Sequence, residues 1–172
     1  MNVVRLLVLG AMREKGALHG YAIRQALEDW QVQMWTRLHS GSVYHSLQQM
    51  AKEGLISSQG HEPGHRGPGK ALFSLTPSGE EEFLNLLRGA LSSFDLVELS
   101  AGLALLDCLP EEGSALLADT ASRLAENADR LIKLAAMAPP GTGAPRTHDL
   151  LVLWSENLRA TAGSLQKILA KH

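Results

Sequence analysis

Apolar side chains recur at helical spacing along the first third of the chain. Val4, Leu7, Val8 and Met12 share one side of residues 2–14. "KGA" interrupts the pattern, and Ile23, Ala26, Leu27 and Trp30 make a second stripe along residues 19–30. Residues 39–55 read "HSGSVYHSLQQMAKEGL", with Val43, Leu47, Met50 and Ala51 at the i, i+4, i+7, i+8 spacing of a helix face. Ser40 or Ser42 is expected to cap this third helix, because a short side-chain oxygen accepts an orphan backbone N–H. Gly54 is expected to end it.

The period then shortens. "LISSQ" and "KALFSL" alternate as strands do, with Ala71, Phe73 and Leu75 on one face. Between them "GHEPGHRGPG" packs four glycines and two prolines into ten residues, which predicts an irregular loop. A two-stranded hairpin with a long tip follows. "TPSGEEEFLNLL" opens another helix, with Thr76 as N-cap and Pro77 at the first helical position. From there the chain reads as helical throughout: residues 94–109, stopped by Pro110, then 111–138, then 147–170. Leu151, Trp154, Leu158, Leu165 and Leu169 share one seam of the last helix. Seams at this spacing favour packing against other helices, and this one predicts a dimer interface.

The polar side of the third helix is unusual. It carries Ser42, His45, Ser46, Gln48, Gln49 and Lys52, with no carboxylate before Glu53. Exposed helix faces usually mix acids and bases, so an acid-free face suits an anion. Three helices, a two-stranded hairpin and a fourth helix are the parts of a winged helix-turn-helix, in which the third helix enters the major groove. Gln pairs with adenine, Ser reads a base or a phosphate, and Lys attracts phosphate or guanine. The expected fold is mainly α with a small two-stranded β wing. Residues 1–90 form the winged helix-turn-helix DNA-binding domain, and residues 91–172 a helical dimerisation and effector domain.

At these residues the sequence resembles the PadR family of bacterial transcription regulators. The resembling text is "LLVLGAMREKGALHGYAIRQAL", "SGSVYHSLQQMAKEGLISS" and "GPGKALFSLTPSGEE", nearly all of residues 5–85. The long second half resembles the subfamily with an extended helical C-terminal domain. The resemblance implies a dimeric repressor of double-stranded operator DNA, with a small aromatic or phenolic effector. Its DNA contacts would come from Ser40, Ser42, Tyr44, His45, Gln48, Gln49 and Lys52, and from Arg66 and Lys70 in the wing. Two positions depart from the family pattern. His45 stands where proline is common, and Lys70-Ala71-Leu72-Phe73 stands where a basic pair and two aromatics are common.

Each of these residues also has a structural reading. Tyr44 packs at the rim of the core or touches a phosphate. Gln48 and Gln49 are solvated or face DNA. His19 orders the start of the second helix. Trp30 and Trp35 are packing residues. Trp154 is dimer core, or it lines a pocket for a planar effector.

The charge is nearly balanced and mildly asymmetric. The net charge is −2, but residues 1–90 carry nine Lys/Arg against eight Asp/Glu, and the remainder seven against ten. Cys108 is the single cysteine, so an intrachain disulfide and a thiolate zinc cluster are excluded. His61, Glu62 and His65 lack a fourth donor, so no metal or other cofactor is expected. "VVRLLVLGAM" is too short to span a bilayer and has no basic leader, so a cytoplasmic protein without a membrane partner is expected. No nucleophile–base pair, paired carboxylates or phosphate-binding glycine motif points to an enzyme. The competing reading is a winged-helix protein-interaction module without sequence-specific DNA binding.

Overall fold

A computed structural model describes residues 2–36, 39–61, 71–137 and 146–171. The elements are α1 (Val3–Lys15), β1 (Leu18–His19), α2 (Gly20–Asp29), a 3-10 turn (Val32–Met34), α3 (Ser40–Lys52), β2 (Ile56–His61), β3 (Ala71–Leu75), α4 (Pro77–Leu91), α5 (Leu96–Ala104), a second 3-10 turn (Leu106–Cys108), α6 (Pro110–Met137) and α7 (Thr147–Leu169). The chain divides into two compact units, Met1–Cys108 and Leu109–His172.

In the first unit α1 is the central post. Every residue from Leu6 to Met12 is buried, so its middle is covered all round. Asn2 starts it by accepting the Arg5 N–H at 3.2 Å. Ile23 and Leu27 of α2, Val43, Leu47 and Met50 of α3, and Phe83 and Leu87 of α4 complete the core. Burying each of these large side chains is worth about 1.5–3 kcal/mol.

The sheet has three strands, not the expected two. Their order is β1-β3-β2, all antiparallel, with Leu18 opposite Phe73 and Ser58 opposite Phe73 on its other edge. A two-residue strand is too short to show alternation, so β1 leaves no periodic trace in the sequence. The loop expected over residues 60–69 falls mostly outside the described residues, although β2 continues through His61.

Two further expectations are corrected. The N-cap position of α3 falls on neither serine. His39 occupies the N-cap position without a side-chain bond, and the Ser42 hydroxyl instead donates to the His39 carbonyl at 2.6 Å. The helix expected over residues 94–109 ends at Ala104, before the 3-10 turn. Its start is well defined, because the Asp95 carboxylate accepts from the backbone of Val97 and Glu98 at 3.0 and 2.9 Å. The first compact unit runs through Cys108 and so includes α5. α5 lies against the end of α4: a Cβ on Gly102 would stand 3.0 Å from the Leu91 nitrogen.

The second unit is a helical hairpin of α6 and α7. Leu117, Ala121, Leu124 and Ala128 of α6 are buried with Leu158, Ala162 and Leu165 of α7. The buried Ser155 hydroxyl donates to the Ala128 carbonyl at 2.8 Å, and Arg159 pairs with Asp129 at 2.7 Å. Among the described residues, no helix is long and apolar enough to cross a membrane.

Candidate nucleic-acid interface

The buried stripe of α3 fixes which face it shows. Val43, Leu47 and Met50 are at most 1% exposed. Tyr44, His45, Gln48 and Lys52 are therefore turned outward and exposed, while Ser42 and Gln49 are half-buried beside them. Tyr44 is 45% exposed. The exposed set contains three kinds of readable group and one cation, and the first acid along the helix is the C-cap residue Glu53. Ser40 is the first residue of α3, and its side chain lies outside what is described. Arg66 and Lys70 fall outside the described residues, as do Glu62 and His65. Among the described residues, no group of three or more His, Cys, Asp or Glu is placed to hold a metal.

Both ends of α3 are held by long-range contacts. At the exit, Gly54 takes φ +74°, a left-handed conformation that glycine adopts without Cβ strain. The Thr76 hydroxyl then lies 2.8 Å from the Gly54 carbonyl and 2.9 Å from the Leu55 carbonyl, and accepts the Gly79 N–H at 3.1 Å. Thr76 thus caps α4, as the sequence predicts, and also ties that helix to the end of α3. Near the entrance, the Tyr44 ring lies over Gly20 at the start of α2. A Cβ on Gly20 would meet it at 2.8 Å.

His19 holds the front of α2. Its Nδ1 is 3.2 Å from the Ala71 carbonyl, and its ring stacks on Tyr21 with centroids 5.8 Å apart. This bond ties α2 to the middle strand of the wing. Trp30 and Trp35 are both half-buried.

Sequence reading missed Arg5. From α1 its Nη2 donates to Glu53 at 2.6 Å and its Nη1 to Glu82 at 3.2 Å. One guanidinium therefore links α1 to the end of α3 and to α4. Planar, forked donors suit two carboxylates at once. Arg5 sits in an apolar run, and only that unexpected cation marked it in the sequence.

In the second unit the expected seam is split. Leu158 and Leu165 are 8% and 2% exposed, and both are covered within the α6–α7 hairpin. Leu151 and Leu169 are half-buried, and Trp154 is 56% exposed. Spacing alone marks an apolar face without saying which chain covers it. The large apolar side chains left open on α7 are Leu150, Leu153 and Trp154, and on α6 Ile132, Leu134 and Met137.

A helix-turn-helix whose second helix shows an acid-free polar face, backed by an antiparallel wing, defines a winged helix-turn-helix DNA-binding protein. The Transcriptional regulator PadR-like family matches residues 8–85, the stretch that carries the helix-turn-helix and the wing, and over it this chain is similar to that family. Among solved structures, Bacillus subtilis PadR in complex with operator DNA is 21% identical, with TM-score 0.48, over 100% of this chain and 99% of that one. Bacillus subtilis PadR in complex with p-coumaric acid is 25% identical, with TM-score 0.43, over 99% and 98%. The PadR-like transcriptional regulator BC1756 from Bacillus cereus is 17% identical, with TM-score 0.41, over 98% and 99%. No curated protein sequence matches the chain.

Proposed function

We propose that this transcriptional regulator acts as a homodimeric repressor that reads its operator through α3 and is released by a small, planar aromatic molecule. The observation that carries the DNA-reading half is the exposed set Tyr44, His45, Gln48 and Lys52, on a face free of acids up to Glu53. Amide and imidazole groups reach base edges, and Tyr and Lys contact phosphates. Arg66 and Lys70 add wing contacts to the phosphate backbone.

Dimerisation rests on the apolar side chains that the α6–α7 hairpin leaves open, Trp154 foremost. A twofold dimer would present two reading helices to successive turns of one DNA face. The effector rests on the family and on the exposed Trp154 indole. A ligand relieves repression only if it favours one arrangement of the protein over the other.

The test is specific binding. Footprinting upstream of the protein's own gene should yield a protected site. Affinity for that site should exceed affinity for random duplex by at least about 10³-fold. Equal affinity for both would remove the operator from this reading. A screen of phenolic acids by tryptophan quenching, followed by operator binding, tests the release step.

A further inference from the structure

A cavity of about 300 Å³ lies between the start of α1 and the flank of α3. That volume is at the small end of ligand sites. Asn2 and Arg5 line it from one side, and Ser42, Ser46, Gln49 and Glu53 from the other. Two of these residues carry a buried polar atom, closed to solvent, that has no hydrogen-bond partner: the Ser46 hydroxyl, on a residue only 7% exposed, and the Arg5 Nε–H. Native proteins rarely leave buried polar groups unmet. A larger cleft of about 610 Å³ between α2 and α3 differs in kind. There Arg24 already faces Glu28 at 3.6 Å, and Gln25 donates to Asp29 at 3.0 Å.

The chemistry of the smaller cavity selects its ligand. Arg5 offers its Nε–H, the guanidinium nitrogen without a partner, since Nη1 and Nη2 already donate to Glu82 and Glu53. The Ser46 hydroxyl offers a second, and rotation about χ1 moves its oxygen between staggered positions as a ligand enters. A carbonyl oxygen has two lone pairs for two donors. A carboxylate would bring the same oxygens, but it would meet two glutamates around one arginine, a surplus of negative charge. An uncharged carbonyl avoids that repulsion. Gln49 and Glu53 present acceptors on the same wall, which an amide NH2 would fill.

We propose that this cavity binds a small uncharged carboxamide, and that the ligand draws Ser42, His45 and Gln49 away from DNA. The second half rests on the DNA-reading role proposed above, since those three residues line the cavity and flank the reading face.

The experiment titrates the full, DNA-free chain with nicotinamide and follows backbone amide resonances. Nicotinate, its acid counterpart, is the charge control. Nicotinamide should produce saturable shifts at Asn2, Arg5, Ser46 and Gln49 with a Kd on the order of millimolar, usual for a fragment-sized ligand. Nicotinate should bind about tenfold more weakly or not at all, as one unfavourable charge contact predicts. Ser46→Ala should weaken nicotinamide about three- to tenfold, the size of one lost hydrogen bond. That variant removes an oxygen with no partner and places a better helix former in α3, so its fold should hold.

No saturable shift at these residues up to the solubility limit overturns the site. So does a Kd unchanged by Ser46→Ala. Equal or tighter binding of nicotinate overturns the ligand class. In a second arm, nicotinamide should lower duplex affinity of the parent more than that of Ser46→Ala. Equal loss, or none, overturns the regulatory link. A protein that binds no duplex would instead refute the DNA-reading role, while the DNA-free titration still reports on the cavity.

Discussion

The Tyr44 ring occupies the space that a Cβ on Gly20 would need, at 2.8 Å. Two segments that resemble the PadR family, "HGY" and "SGSVY", therefore meet in space. The contact sets where the Tyr44 ring stands on the exposed face of α3. Gly20→Ala should push the ring outward. Helix propensity gains about 0.5–1 kcal/mol from the same change, which offsets part of the clash. Denaturant unfolding should thus move little, while duplex binding weakens. An unchanged affinity with a displaced ring would remove Tyr44 from the DNA contacts.

Tyr44→Phe separates the ring from its hydroxyl. A phosphate contact carries no sequence information. Operator and random duplex should therefore weaken by the same factor, about 0.5–1.5 kcal/mol for one hydrogen bond. Loss confined to the operator would make Tyr44 a base reader.

Gln48→Ala should do the opposite. It should cost about 1–3 kcal/mol at one base pair and little elsewhere, the usual size of a lost bidentate contact. Binding selections with parent and variant would show relaxed preference at that position. Equal weakening on all sequences would place Gln48 on the backbone or in the fold.

Gly79 supplies a stability control. A Cβ there would fall 2.0 Å from the Leu55 carbonyl oxygen, a backbone atom that cannot swing aside. Gly79→Ala should destabilise the first unit by about 1–3 kcal/mol or more, as overpacked sites do. Chemical denaturation reads this directly. A neutral change would mean that the junction of α3 and α4 is looser than the Thr76 bonds imply.

Two substitutions on α7 divide folding from association. Leu165 is buried inside its own hairpin, so Leu165→Ala should cost about 2–5 kcal/mol of stability. Trp154 is open, so Trp154→Asp should leave the hairpin folded and shift sedimentation toward monomer. A dimer unaffected by Trp154→Asp would move the interface off this end of α7.

Much of this was legible in the sequence, because stripes at helical spacing reflect local burial. The stripes of α1, α2 and α3, the Thr76 cap and the acid-free face all appear as short-range patterns. What escaped was long-range. The strand Leu18–His19 exists only through its pairing with β3. Arg5 finds its carboxylates on residues 53 and 82. The packing of α5 on the end of α4 is likewise something no local pattern reports. Leu158 and Leu165 looked like half of a dimer seam because an apolar face does not name its partner.

On the proposed function, α3 and the wing bind the phosphate-lined groove of DNA. The most direct measurement is affinity for the footprinted duplex across a range of salt, for the parent and for the double variant Arg66→Ala/Lys70→Ala. The parent should show log K falling steeply and linearly with log salt, because each neutralised phosphate releases counterions. The double variant should lose up to about two units of that slope while still preferring the footprinted site. A parent whose affinity is flat with salt, or that binds no duplex, would contradict DNA binding and favour a winged helix that binds protein.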